Sequence, residues 1–200
     1  MNRFLVRTGL AAVSLFVVGY PLFVWYTNTS FTADRWLLLS VFPAFGLIAF
    51  TVMYLHIIGR PFKHVLSSFL PFDRFERLSS SIVLVAILLH PALRTLFFIM
   101  NDVSLSFTLP IVLGSIGFLM LITYDLGKAF IRNPWIRKHW RVVDVVSTLG
   151  FYVIWVHSLM LGSELQVGFL RNLWIFYGVS ALFASGYTFL YQRVATEPKV

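Results

Sequence analysis

The chain has 200 residues, of which 58% are hydrophobic and only 12% are charged, and its mean hydropathy is +0.82. A soluble domain carries about twice that share of charged residues, so the composition excludes a soluble globular enzyme and favours a membrane protein. The absence of cysteine from the sequence excludes disulfides, thiolate-ligated haem and cysteine-ligated iron–sulfur clusters. The net charge is +8, but the basic residues concentrate in alternate loops, as in membrane proteins, so we expect no nucleic-acid partner.

The first half of the chain predicts three membrane-spanning helices. The first covers residues 10–26, and we interpret it as a retained helix because no small-residue cleavage site follows it. The second covers residues 36–59 and the third residues 78–100. Between these two spans, residues 60–77 mix basic with large apolar side chains, so we expect this loop to lie in the interface and contact membrane lipid.

The second half predicts three more spans, over residues 110–126, 142–161 and 172–191. Residues 128–141 form the most basic loop. About 13 of the 16 Lys and Arg residues then fall on one side of the membrane, which predicts that both termini are cytoplasmic. We therefore predict an all-α fold, an integral membrane six-helix bundle that forms a single domain over residues 1–200, and we expect it in a bacterial inner membrane.

Two histidines lie at similar depths in two of these spans. His90 lies about 13 residues past Arg77 in the third span, and His157 lies about 16 residues past Arg141 in the fifth, which is about 20 and 24 Å along a helix. An imidazole in hydrocarbon is costly unless it has a function. Two imidazoles on opposite sides can fill both axial positions of a haem iron. We interpret the pair as axial ligands of one haem b; the alternative is a packed, hydrogen-bonded histidine at each position.

The residues around this pair resemble those of a known family. The third span has an Arg-x12-His spacing from Arg77 to His90, and the fifth reads Trp140-x3-Asp144-x12-His157. These patterns are similar to the ferric reductase-like transmembrane domain superfamily, and most similar to its MsrQ (YedZ) type, a haem-binding membrane subunit. The resemblance implies a cytochrome b that passes electrons to a periplasmic redox partner protein or another outer-face acceptor. It also implies a quinone or a flavin, such as FMN, as the electron donor.

The chain departs from this family on the inner side of the membrane. The family has Trp-x3-His-x12-His in the fifth span, and Asp144 stands in place of the first of those histidines. Related two-haem reductases have an earlier histidine in the third span, near the position of Glu76. Carboxylates are poor ligands for low-spin haem, so the resemblance implies one haem rather than two. Asp144 is expected to pair with Arg141 or another basic loop residue, with proton or quinone chemistry as the alternative.

Other polar residues have more than one interpretation. Arg94 lies one helical turn beyond His90 on the same face, where it could bind a haem propionate or extend to the outer interface. His56 could support an inner cofactor or lie among the lipid headgroups. His64 is expected at the interface, and His139 in solvent within the most basic loop.

A second class of function is a haem-free small membrane transporter or a scaffold protein. Transporters often carry broken helices and intramembrane charges, whereas only Arg94 lies well inside a predicted span. A scaffold would not need two histidines at matched depth. The sequence therefore favours the electron-transfer component of an oxidoreductase and leaves open whether the chain is itself an enzyme, and it identifies neither the final acceptor nor the oligomeric state.

Overall fold

A computed structural model describes residues 3–29, 37–104, 106–166 and 168–191, and within these ranges the chain forms helices and no strand. The helices are α1 (Arg3–Asn28), α2 (Leu37–Gly59), α3 (Lys63–Ser67), α4 (Phe72–Met100), α5 (Leu109–Ala129), α6 (Pro134–Lys138), α7 (Trp140–Leu161) and α8 (Phe169–Gly186). Short 3₁₀ turns follow α2 at Arg60–Phe62 and α7 at Ser163–Leu165, and a π-helical turn at Tyr187–Tyr191 continues α8.

Six of the described helices are long and apolar enough to cross a membrane: α1, α2, α4, α5, α7 and α8. Many large apolar side chains on α1, α4, α5, α7 and α8 are exposed, as expected for helices whose solvent is lipid rather than water. The predicted all-α, six-span membrane protein is therefore confirmed, and the histidine-bearing third and fifth spans are α4 and α7.

Several helix boundaries differ from the predicted spans. α1 begins at Arg3 rather than at residue 10, and α4 begins at Phe72 rather than at residue 78. The hydropathy signal marks only the part of a helix that lies in hydrocarbon, whereas the helix itself continues into the headgroup region. Asp73 in the first turn of α4 favours this extension, because a carboxylate stabilises the positive end of the helix dipole. Trp36, at the predicted start of the second span, lies outside the described residues.

The helices that carry the histidines belong to two packed pairs. α2 packs along α4, and α5 packs along α7. Stacked aromatic rings connect α2 to α7 and α8, because Phe50 lies 4.7 Å from Phe151 and 4.3 Å from Trp174 between ring centroids. All three side chains are fully buried. We call the end of the molecule that carries Arg60 and Lys128 the basic end.

Candidate haem-ligand pair and polar cavity

His90 on α4 lies against α2. Its Nδ1 is 2.9 Å from the carbonyl oxygen of Phe42, and since a carbonyl can only accept, Nδ1 carries the hydrogen. The Phe42 ring also contacts the imidazole, with 5.2 Å between centroids. A Cβ atom at Gly46 would come within 2.9 Å of Nδ1. The space for the His90 ring therefore depends on the absence of a side chain at Gly46.

His157 on α7 lies against α5 in the same manner. Its Nδ1 donates a hydrogen bond of 2.6 Å to the carbonyl oxygen of Pro110, near the start of α5. A Cβ atom at Gly114 would come within 2.6 Å of Cε1 and 2.8 Å of Nδ1 of the imidazole. Gly114 thus leaves space for the His157 ring, as Gly46 leaves space for the His90 ring.

The two helix pairs present their imidazoles equivalently. Each imidazole lies against a glycine of the neighbouring helix, which comes earlier in the chain. Each Nδ1 donates to the carbonyl oxygen of the residue four positions before that glycine. The hydrogen-bonded residues are 48 positions apart for His90 and 47 for His157. Because both Nδ1 atoms are protonated, the lone pair of each neutral ring is on Nε2.

This donor arrangement fits a haem iron. Among the described residues no hydrogen bond reaches Nε2 of His90 or of His157, and neither atom is sealed in packed protein. A metal-ligating histidine usually donates its other ring N–H to a carbonyl or carboxylate, as both rings do here. Within the same ranges no group of three or more His, Asp or Glu side chains is gathered around one point. A haem needs no such group, because its porphyrin supplies four ligands and the protein only two.

Arg94 lies near both imidazoles and interacts electrostatically with each of them. Its guanidinium carbon is 5.7 Å from the ring centroid of Phe42 and 5.5 Å from that of Phe98, within the range of cation–π contacts. In the part of the chain that the structure describes, no carboxylate forms an ion pair with Arg94. The two rings contact the guanidinium, and among the described residues its N–H groups form no hydrogen bond, so they are available to an anion.

A polar cavity of about 330 Å³ lies closer to the basic end, between α2, α4, α5, α7 and the turn after α8. Its charged lining consists of the cations Arg60, Arg77 and Lys128 and the carboxylates Asp73, Glu76, Asp125 and Asp144. Farther from the basic end the wall becomes apolar, with Val83, Ile87, Leu121 and Phe151. Glu76 and Asp144 therefore line one cavity.

Both of these carboxylates are in ion pairs. Asp144 pairs with Arg60 through two contacts, 2.8 Å from Oδ1 to Nη2 and 3.0 Å from Oδ2 to Nη1. This bidentate pair joins the end of α2 to α7, and it confirms the prediction of a basic loop partner, although the partner comes from the first basic loop rather than being Arg141. Glu76 accepts a hydrogen bond of 3.1 Å from Lys63.

His56 lines the same cavity, next to Arg60. Its Nε2 is 2.6 Å from Oγ of Ser79, and that Oγ is 2.6 Å from the carbonyl oxygen of Phe75. The serine has one hydrogen and the carbonyl can only accept, so Ser79 donates to Phe75 and His56 Nε2 donates to Ser79. The other ring nitrogen, Nδ1, is then an unprotonated acceptor; it has no partner among the described residues and is not sealed in packed protein.

The two remaining histidines lie elsewhere. His64 is exposed on α3. His139 is half-buried in the turn before α7, where its Nδ1 donates to the carbonyl oxygen of Trp135 over 2.8 Å. Neither lines the cavity. Both histidines lie between the long helices, as expected for residues of the two basic loops.

Four residues that support the two imidazoles do not stand out in the sequence: Phe42, Gly46, Pro110 and Gly114. Gly46 and Gly114 did carry a signal, because a glycine inside an apolar span often marks a close approach between helices. The carbonyls of Phe42 and Pro110 carried none, since any residue has a carbonyl. Ser79, which orients His56, resembled its serine neighbours at the start of the third span.

The chain matches no protein-family model, no curated protein and no solved structure. The resemblance to ferric reductase-like proteins therefore rests on the residues of the third and fifth spans alone.

Proposed function

We propose that this chain is a membrane cytochrome that holds one haem b between His90 on α4 and His157 on α7 and carries electrons across the membrane. The observation that supports this most strongly is the equivalent presentation of the two imidazoles, each with Nδ1 bonded to a carbonyl and Nε2 free. A haem bound there would supply one-electron redox chemistry.

The chain's own residues would position the group and exclude competing chemistry. The carbonyls of Phe42 and Pro110 fix the tautomer and orientation of the two rings. Arg94, held between two phenylalanine rings, would bind a haem propionate through its N–H groups. With His90 and His157 holding it, the haem would supply single-electron transfer, so reduction of the final substrate would occur on another molecule.

The charge distribution supports a direction for the electron transfer. The positive-inside pattern would put the basic end and both termini in the cytoplasm, consistent with a bacterial inner membrane. The histidines would then lie about two-thirds of the way across, about 20–24 Å from the basic end. The electron acceptor would be a periplasmic redox protein or a metal ion at the outer face. The donor, a quinol or a reduced flavin, would enter the polar cavity at the basic end.

An absorption spectrum of the purified chain tests this proposal. We expect a Soret band and sharp alpha and beta bands on reduction, and their loss or strong weakening in His90→Ala and in His157→Ala. His64→Ala and His139→Ala are the matched controls and should retain the spectrum. A normal low-spin spectrum in both ligand variants would contradict the proposal, and a chain that takes up no haem would favour the transporter or scaffold alternative.

Haem quantitation tests the number of sites. We expect saturation near one haem per chain, because Glu76 and Asp144 are held in ion pairs where inner ligands would be needed. Two haems per chain would contradict the one-haem proposal. His56, which lines the polar cavity, would then be the first candidate for a further ligand.

A further inference from the structure

The imidazole of His56 has a fixed orientation and a fixed tautomer. The hydrogen-bond chain from Nε2 through Ser79 to the Phe75 carbonyl keeps the ring proton on Nε2. Ser79 is itself buried, and the Phe75 ring packs edge-on against the imidazole, with 5.7 Å between centroids. As a result Nδ1 is a hydrogen-bond acceptor that is not enclosed by packed protein. It belongs to a side chain that lines the cavity.

The cavity suits a substituted six-membered ring with polar substituents. A cavity of about 150 Å³ can hold benzene, so the volume of about 330 Å³ accommodates a ring with several substituents. The apolar wall with Val83 and Phe151 would contact the ring face, and the polar wall with His56 and Tyr124 would contact its oxygens. Asp73 lines the cavity and its side chain is 70% exposed, so the cavity reaches water at the basic end.

Among the groups in this cavity His56 is the best placed to accept a proton. Glu76, Lys128 and Arg60 interact electrostatically with its imidazole. Asp144 already pairs with Arg60. Asp73 and Glu76, the next two carboxylates of the lining, both pair with Lys63. Tyr124 carries its own proton, and Asp125 is the remaining competitor in the polar wall. His56 thus combines an open lone pair with a position in the cavity.

We infer that His56 is the catalytic base of this cavity, which accepts the proton from a hydroquinone-type electron donor. The inference rests on the proposed function, because that function requires a donor at the basic end. Oxidation of one hydroquinone to the quinone releases two electrons and two protons. The two electrons would pass one at a time to the proposed haem. Each proton leaves a donor O–H bond, forms an N–H bond at Nδ1 of His56, and passes to water at the mouth before the next transfer.

The experiment uses the full chain purified with its haem and duroquinol as the probe, and it follows haem reduction anaerobically. In His56→Gln we expect the same haem content and the same dithionite-reduced spectrum as in the unchanged chain, but reduction by duroquinol about 100-fold slower, because glutamine cannot act as a base. His64→Gln, an exposed histidine outside the cavity, is the matched control and should react normally. Asp125→Asn tests the competing carboxylate and should have a small effect.

The pH profile distinguishes a base from a structural residue. A base acts only when it is unprotonated, so the duroquinol rate should fall as the pH falls through the titration of His56. This fall should disappear in His56→Gln and persist in Asp125→Asn. An unchanged duroquinol rate and pH profile in His56→Gln would overturn the inference. It would also be overturned if the decrease in rate at low pH disappeared only in Asp125→Asn. The inference would also be wrong if reduced FMN were the efficient donor with a rate insensitive to His56→Gln.

Calorimetric titration tests the binding site separately from haem. The unchanged chain should bind duroquinol more tightly than its dimethyl ether, which has no O–H group to donate. His56→Phe should weaken duroquinol binding about tenfold and leave binding of the ether unchanged, whereas His56→Gln should keep most of the duroquinol affinity. Absence of duroquinol binding would overturn this inference and leave the haem proposal standing. A chain that binds duroquinol but takes up no haem would contradict the haem proposal and leave the binding site at His56 standing.

Discussion

Each imidazole of the candidate haem site lies against a residue that has no side chain. In Gly114→Ala the new Cβ atom would lie within 2.8 Å of two atoms of the His157 ring, so the ring must move. Because Nε2 moves with the ring, we expect haem content to fall severalfold and the low-spin bands to weaken. Gly46→Ala should act on His90 in the same way, with its closest contact at 2.9 Å. Haem per chain and the reduced spectrum measure both effects.

Gly19→Ala is the matched control for these substitutions. A Cβ atom at Gly19 in α1 would meet nothing within 4 Å, so haem content should not change. The exposed helix interior should gain about 0.5–1 kcal/mol from the alanine. If Gly114→Ala binds haem as well as Gly19→Ala does, the imidazole of His157 is not the ligand.

Arg94 provides a test of the propionate contact. Arg94→Ala should weaken haem retention or shift the reduction potential, because the guanidinium close to both imidazoles is removed. Arg94→Lys should have an intermediate effect, since lysine keeps the charge and loses the bidentate geometry. Arg132→Ala, which removes a charge from the basic loop, should change neither property. Equal behaviour of Arg94→Ala and Arg132→Ala would favour the alternative in which Arg94 only extends to the interface.

At the scale of the helices, the pair α5–α7 depends on a close backbone approach. A Cβ atom at Gly150 on α7 would lie 3.1 Å from the Leu121 amide nitrogen and 3.2 Å from the Gly117 carbonyl oxygen on α5. Backbone atoms cannot rotate away, so Gly150→Ala must push the two helices apart. We expect a loss of about 1–3 kcal/mol in stability, the usual cost of overpacking. A lower Tm in detergent, together with weaker haem binding, would show that the two helices have been pushed apart.

Gly186→Ala on α8 is the control, because a Cβ atom there would meet nothing within 4 Å. If both alanine variants melt at the same temperature, α5 and α7 are not as close as the structure has them. A fall in Tm for Gly150→Ala without any change in haem content would separate helix packing from the ligand geometry.

At the scale of the whole molecule, the orientation in the membrane can be tested with introduced cysteines. The natural sequence has no cysteine, so each variant carries a single thiol. We expect a membrane-impermeant maleimide to label Arg132→Cys only from the cytoplasmic side and Ser106→Cys only from the outer side, because the proposed orientation puts the basic loops in the cytoplasm. Right-side-out and inverted vesicles provide the two conditions. Labelling of both positions from one side, or with the sides exchanged, would contradict the orientation.

The sequence by itself determined the class and the helices of this protein. Apolar runs of about 20 residues in a chain with few charges can satisfy their backbone groups in lipid only as helices, so the all-α fold with six candidate spans followed from composition. The prediction that His90 and His157 lie at similar depths also comes from the sequence, since the rise of a helix is fixed. The helix starts at Arg3 and Phe72 could not be predicted from the sequence. The hydropathy signal marks only the apolar part of a helix, whereas the backbone hydrogen bonds continue beyond that part.

Only the tertiary structure decided which helices lie beside one another and what their side chains meet. The tautomers of His90, His157 and His56 depend on a carbonyl or a hydroxyl from a distant part of the chain. Asp144 meets Arg60, which is 84 positions away, rather than the neighbouring Arg141. Contacts of this kind depend on how helices pair, and pairing in lipid is set by small residues and local shape rather than by the hydrophobic pattern. The polar cavity is likewise formed by α2, α4, α5, α7 and the end of α8 together, and no single segment of the sequence contains it.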